Sequence, residues 1–369
     1  MANRPYLDQM EVDGTTYDLR AANAVPAVEG YGGNDLSEEF ANAAAFHAAI
    51  AAGDFSKIHI GDYWPINLNG SYKDYALWTV PSGTTYYSDT ALTTSVGTTS
   101  ADLSGSYQSA TATKITISGT EYYVATSDCT AGYLKSMNAD VKMEVAAINP
   151  YLRFGDTEFT AQHVLLCSRD CLPPTLQYRC SNGVWCDTTQ VNPWLGSALY
   201  KTLNDADATQ YTGYGIVKLV EATALGAYLY KGPNNKGMRA YLETMAAGAA
   251  SPTAGAWSDR GRLFLPEEME VYGSKIRSPK STAIADMLYN QWPIFAGTGR
   301  HIIKGAGDGG GRGGWWLESA SSATNFAFVA YDGGANNANA ASTGIRVSLC
   351  FLEDWPPNQR PFMGRKEGA

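Results

Sequence analysis

Cysteine offers this 369-residue chain its clearest metal or thiol chemistry, and four of its six cysteines cluster: Cys167, Cys171, Cys180 and Cys186. Zinc takes four thiolate or imidazole ligands at short paired spacings. The spacing here, C-x3-C-x8-C-x5-C, lacks the paired C-x2-C arrangement. Cys167 also sits in the apolar run VLLCS, where a free thiol packs as a small hydrophobe. Buried or loop thiols are therefore expected ahead of a metal site. A Cys180–Cys186 bridge across SNGVW requires an oxidising environment, and six cysteines are too sparse for a disulfide scaffold at this length.

The other reactive side chains point away from catalysis. His163 stands alone after GDTEFTAQ, as expected for a hydrogen-bonded core histidine. Glu267, Glu268 and Glu270 follow Pro266, where acids in the first turn of a helix meet its positive end. That accounts for them better than acid/base or calcium chemistry. The run GAGDGGGRGG from Gly305 lacks the Gly-Lys-Ser/Thr ending of a phosphate loop and is expected to be a flexible loop. Trp315 and Trp316 are expected to anchor the core. No nucleophile–base pair emerges, so the chain is read as not an enzyme, with no cofactor and no metal.

These residues sit in a recognisable series of elements. EVDGTTYDL reads as a hairpin about Asp13-Gly14. NDLSEEFANAAAFHAAIAAGDF reads as a helix capped by Ser37 and closed by Gly53. KIHIGDYWPINLNG alternates like a strand ending in an Asn-Gly turn, and MNADVKMEVAAINPYL reads as a short helix. Between them, residues 71–128 are rich in Thr, Ser and Tyr and read as paired hairpins of an inserted β element. Further on come a buried strand ending in HVLLCS, a helix NPWLGSALYKTLNDADA with Pro in its first turn, and a strand and helical turn in RLFLPEEMEVYG. The final segment reads as strands joined by long loops.

Bulk composition narrows the class. Charged residues are 17% of the chain while Gly and Tyr number 38 and 23, which predicts a loop-rich, strand-containing protein rather than a helical bundle. The formal charge is −9 and no Lys/Arg run occurs, which argues against nucleic acid as a partner. The opening residues carry no apolar export signal, and no stretch has the length of a membrane-spanning helix.

The segment 313–351 has hard ends and a soft middle. Trp315, Trp316 and Leu317 open it, and Ile345, Val347 and Leu349 close it with strand alternation. From Ser319 to Gly344 there is no Lys, Arg, Glu, Gln, Met or Trp. Small polar groups and a few aromatics between rigid ends are the chemistry of an antibody-like recognition surface.

GDTEFTAQHVLL, NPWLGSALYKTLN, RLFLPEEMEVYG, GGWWLESAS and GIRVSLCF occur in this order, and together they resemble the variable proteins of diversity-generating retroelements. The resemblance covers roughly residues 57–351, interrupted by 71–128. It implies an α+β chain with a C-type lectin fold of the formylglycine-generating-enzyme type. It also implies a variable segment in which adenines, mostly of Asn codons, are rewritten by an error-prone reverse transcriptase. AAC codons altered at adenine still end in C and cannot encode Lys, Glu, Gln, Met or Trp, which matches the middle of the segment; a Gly/Ala/Asn-rich loop without long side chains matches it too. The implied ligand-binding positions are Ser322, Thr324, Asn325, Phe328, Tyr331, Asn336, Asn337, Asn339 and Thr343. The oxygen-activating Cys pair of formylglycine-generating enzymes has no counterpart. The Glu-Pro-Asn, Gln-Pro-Asp and Trp-Asn-Asp triplets of calcium-dependent sugar sites are also missing.

The N-terminal VDGTTYDLRAA resembles short modules that begin phage tail and baseplate proteins. Residues 1–55 are thus expected to be an attachment and oligomerisation module and 56–369 a lectin-like domain. The expected function is phage adhesion: a virion protein, of the tail by this resemblance, made in the host cytoplasm and displaying a diversified site. Its expected partners are a bacterial surface ligand, protein or glycan, and other virion proteins; a homotrimer is expected, with neither nucleic acid nor membrane insertion. The alternatives are a non-diversified structural virion protein and a bacterial surface adhesin of the same fold.

Overall fold

A computed structural model describes residues 9–12, 15–18, 33–156, 160–178, 192–204, 213–232, 235–245, 249–250, 252, 254–278, 290–296 and 300–353. Strands take 39% and helices 17%, so the chain is α+β weighted towards strand, as its low charge and many aromatics predict. Strands β1 (Gln9–Val12) and β2 (Thr15–Asp18) pair antiparallel with Val12 opposite Thr15, the register of the expected hairpin.

The helix expected to run from Ser37 to Gly53 is divided. α1 (Leu36–Glu39) is capped by Asp35, and α2 (Ala43–Ala52) by Asn42, whose Oδ1 takes the Ala45 N–H at 3.0 Å. Ser37 is not the cap, because its own N–H and hydroxyl both donate to Asp35 Oδ1, at 2.9 and 2.6 Å. Gly53 does close α2, with the positive φ of 71° that glycine tolerates. Leu36, Phe46 and Ile50 are buried in the main core, so α2 packs with the body of the protein rather than apart from it.

Two long strands form the spine. β3 (Tyr63–Val80) and β9 (Thr130–Ile148) pair antiparallel from Tyr63–Glu144 outward to Thr79–Thr130. Two sequence expectations are corrected here. Asn69-Gly70 is no turn: both residues lie inside the ladder, opposite Asn138 and Met137. Gly70 instead clears space, since a Cβ there would come within 2.7 Å of Leu219 Cδ2. MNADVKMEVAAI is strand, not helix. Met137, Ala139, Val141 and Met143 are buried while Asn138, Asp140 and Lys142 are exposed, a strict period of two.

The tip of the spine carries β4 (Thr85–Tyr87), β5 (Ser95–Thr98), β6 (Leu103–Tyr107), β7 (Ala112–Ile117) and β8 (Thr120–Ala125). Ser118-Gly119 joins β7 to β8 as an expected hairpin, whereas the earlier Ser-Gly turn does not pair β3 with β4, which lies on β8 and β5. This tip has its own small core of Val80, Ile115 and Val124.

At the base, β10 (Val164–Ser168) joins β9, giving the sheet order β18-β10-β9-β3-β6-β7-β8-β4-β5, where β18 is Cys350–Glu353. Of the short helices α3 (Pro193–Gly196), α4 (Ala198–Asn204) and α5 (Ile216–Glu221), α4 and α5 pack on β3 of the main sheet, while α3 lies against α4 and the strands Arg239–Thr244 and Trp315–Ala320. The helix expected over NPWLGSALYKTLN breaks at Ser197, whose hydroxyl donates to Trp194 O at 2.8 Å. A ladder of β11 (Arg239–Thr244) and β12 (Ala254–Asp259) precedes α6 (Glu268–Tyr272), which is opened by the reciprocal cap of Glu267 and Glu270 and closed by Gly273. Among the described residues no helix is long and apolar enough to cross a membrane.

The Gly-rich run expected as a flexible loop is a small ladder: β13 (Lys304–Gly305) pairs with β14 (Arg312–Gly313), and Asp308 is tied to Arg346 at 2.7 Å. The segment after it is a three-stranded sheet of β15 (Trp315–Ala320), β16 (Asn325–Val329) and β17 (Ala335–Asn339). Its connections span only 321–324 and 330–334, so the long loops expected there are strands joined by turns.

Candidate binding surface

The surface is built outward from β15, all six of whose residues are buried. Trp315 donates its Nε1–H to Ile302 O at 2.9 Å, and Trp316 donates to Leu176 O at 2.8 Å. Both tryptophans therefore bury their rings and satisfy their one polar group, the condition for a core anchor. Tyr178 stacks on Phe326 of β16 with ring centroids 3.7 Å apart and meets Trp316 edge-on at 5.1 Å.

The polar side chains of β15 enter a buried charge network. Glu318 accepts from Arg260 Nε at 2.8 Å, and the same guanidinium grips Glu270 with Nη2 at 2.7 Å. The Ser319 hydroxyl donates to Glu267, and it accepts the Glu268 N–H at 3.0 Å. The Ala320 N–H donates to Glu243 Oε2 at 3.1 Å, while Lys275 holds Glu243 Oε1 at 2.6 Å. Burial drives Glu318 well above the usual carboxylate range, with Arg260 pulling the other way. Burial, reinforced by the Glu243 charge, raises Glu267 to about 7. Glu268 caps the following turn instead, accepting the N–H groups of Arg277 and Ser278 at 2.9 and 2.8 Å. The three acids expected to be simple first-turn helix acids are thus also buried hydrogen-bond acceptors. Arg260, Glu243, Lys275 and Glu318 were not legible as partners, because their chain separations carry no periodic signal.

β17 is the opposite edge of the same sheet. Thr324, Tyr331, Asn336, Asn337, Asn339 and Thr343 are exposed, Tyr331 at 67%. Ser322, Asn325 and Phe328 are half-buried. The Ser322 hydroxyl accepts the Asn325 N–H at 3.1 Å and shapes the turn, and Phe328 packs edge-on against Trp316 at 6.0 Å. Phe328, expected as free contact area, therefore belongs to the rim of the core.

Register divides the nominated residues. Asn325 faces Asn339 and Ala327 faces Asn337, so Asn325, Asn337 and Asn339 share one face. Phe328 faces Asn336, which puts those two on the other face. The edge backbone is partly guarded: Arg277 Nε donates to Ala335 O at 3.1 Å, and Asn336 Oδ1 and Asn339 Oδ1 accept the N–H groups of Asn337 and Ala341, each at 2.9 Å. Arg277 and its exposed neighbour Ile276 lie outside the segment that sequence reasoning singled out.

The remaining candidates resolve simply. His163 is buried, with Nδ1 2.9 Å from Ala161 O and Nε2 accepting the Tyr151 N–H at 3.2 Å. Burial lowers it to about 4 and holds it neutral. Cys129, Cys167, Cys171 and Cys350 are free thiols, while Cys180 and Cys186 lie outside the described residues. Among the described residues no group of three or more His, Cys, Asp or Glu is placed to hold a metal ion. A cleft of about 620 Å³ lies between Asn67, Asp140, Lys142 and Asp170 on one side and Gly305–Gly310 on the other. No family model, curated protein or solved structure matches this chain.

Proposed function

We propose that the chain is a retroelement-diversified adhesion protein of a phage, with a C-type lectin fold of the formylglycine-generating-enzyme type, presenting the β16–β17 edge to a bacterial surface ligand. One observation carries the reading. Within one small sheet, an immobilised inner strand supports an outer strand whose exposed side chains are Asn336, Asn337 and Asn339. Such positions change identity without disturbing the core, the physical requirement for a diversified site. Tyr331 supplies rigid contact area, and the Asn and Thr groups supply adaptable hydrogen bonds. Several copies on one virion would turn weak single contacts into firm attachment.

The deciding experiment is to sequence the DNA around the gene. A near-copy of the segment differing at adenines, beside a reverse transcriptase gene, is the expected result. Absence of both sinks the diversified reading and leaves the non-diversified virion protein. Neighbouring secretion genes in place of tail genes favour the bacterial adhesin.

A further inference from the structure

Cys167 on β10 and Cys350 on β18 stand directly opposite each other, with sulfurs 3.0 Å apart and both side chains buried. The flanking Ser168 N–H donates to Leu349 O at 2.8 Å. Cys350 turns its own N–H and C=O the other way, to Phe264, at 3.1 and 3.0 Å. The two cysteines are therefore a non-hydrogen-bonded pair of the ladder, the kind whose Cα atoms approach to about 4.5 Å. A disulfide accepts Cα separations from about 4.4 Å, so the bond closes with little backbone movement.

The pair is also chemically unequal. Around Cys167 Sγ lie the Cys350 thiol at 3.0 Å, Ser348 Oγ at 3.2 Å and the Lys304 ammonium at 3.9 Å. Lys304 is itself buried and is held there by the carbonyls of Ser168 and Arg169. Burial pushes the Cys167 thiol up, but the Cys350 hydrogen bond and the Lys304 charge outweigh it and bring the thiol down to about 7. Burial pushes Cys350 well above a free thiol, so it keeps its proton. A low-pKa thiolate beside a protonated thiol is the arrangement that sensor cysteines use. Gly305, the chain neighbour of Lys304, lines the cleft, as does Cys171.

We propose that Cys167 and Cys350 are a peroxide-oxidisable pair that closes to a cross-strand disulfide joining β10 to β18. The Cys167 thiolate attacks one oxygen of hydrogen peroxide, breaking the O–O bond; the departing hydroxide takes a proton and leaves as water. The resulting sulfenic acid loses its hydroxyl when the Cys350 sulfur attacks, and the Cys350 proton leaves with that hydroxyl as a second water. Two thiols and one peroxide give one disulfide and two waters. The bond would clamp β18, the edge strand of the main sheet that follows the β15–β17 sheet in the chain, to its neighbour β10, and it does not depend on what the β15–β17 sheet binds.

The test uses the full chain. Native protein is treated with hydrogen peroxide, blocked with N-ethylmaleimide in denaturant and digested with trypsin. Cleavage after Arg153, Arg169 and Arg346 puts Cys167, Cys171 and Cys350 on separate peptides. The expected product is a Cys167–Cys350 linked pair, two hydrogens lighter than its parts, cleaved by dithiothreitol and melting higher than the reduced protein. In C350S, dimedone should trap the sulfenic acid at Cys167. Full maleimide labelling of both cysteines after peroxide, a bridge from Cys167 to Cys171, or sulfinic acid at Cys167 with Cys350 still free would each overturn the proposal. If C350S does not fold, the wild-type digest alone decides.

Discussion

β15 and β17 belong to one three-stranded sheet, separated only by β16, yet they use opposite chemistry. β15 is wholly buried and places Glu318 in an ion network with Arg260, Glu270 and their neighbours. β17 is an edge strand whose exposed side chains are neutral amides. Ionisable groups stand where water is absent, and neutral amides stand where water is plentiful. The difference follows from what each strand must do. A buried charge is costly unless its geometry is met in full, so β15 has one workable arrangement. An exposed amide exchanges water for ligand at little cost, so β17 tolerates many identities.

The comparison is broken most directly at Arg260. Replacing it with Ala leaves Glu270 and Glu318 buried without their cation, and about 3–5 kcal/mol of stability should be lost in chemical denaturation. A loss below about 1 kcal/mol would mean that water already reaches the network. Trp316→Ala should cost a similar or slightly smaller amount, about 3–5 kcal/mol, by emptying a site enclosed by Tyr178 and Phe328.

A pH series sharpens the same contrast. Glu267 is raised to about 7 in the folded chain from its ordinary value of 4.5, so the folded state binds the extra proton. Its contribution is complete below the unfolded value and is lost as pH rises through about 7. The melting temperature should therefore fall between pH 5 and pH 8, and Glu267→Gln should flatten that slope. An unchanged slope in the variant would assign the effect to another group.

The smallest stability effects belong to the outer edge. Tyr331→Ala and Asn337→Ala should each shift stability by no more than about 0.5 kcal/mol, as exposed substitutions do. Under the proposed function, Tyr331→Ala should also abolish attachment to the host surface. A large stability loss would instead place that ring in the core.

Legibility in the sequence followed the range of the physical signal. The β7–β8 hairpin, the buried strand β10, the Gly53 helix stop and the paired tryptophans were readable, because each rests on local turn chemistry or an unbroken apolar run. The spine strand β9 was misread as helix although MNADVKMEV alternates strictly, since Ala, Met and Lys also favour helices. Asn69-Gly70 carried a turn signal that the long ladder with β9 overrode. The nine positions nominated for the candidate surface mix exposed residues with the half-buried Ser322, Asn325 and Phe328, and neither that split nor their division between two faces was legible. One residue of register moves every side chain to the other side, and no local pattern sets that register.

The sequence by itself therefore determined a strand-rich α+β chain with a segment of small polar residues, free of Lys, Arg and Glu, held between apolar ends, because composition and short-range periodicity suffice for that. Tertiary structure alone decided that Glu318, Glu267 and Glu243 meet around β15, that Phe328 leans on Trp316, and that Cys167 faces Cys350 across 3.0 Å. The glutamate and cysteine pairings join residues about 50 to 180 positions apart in the chain, and the Trp316–Phe328 contact depends on the β15–β16 register. The hydrogen-bond ladders that align them are read from no single segment.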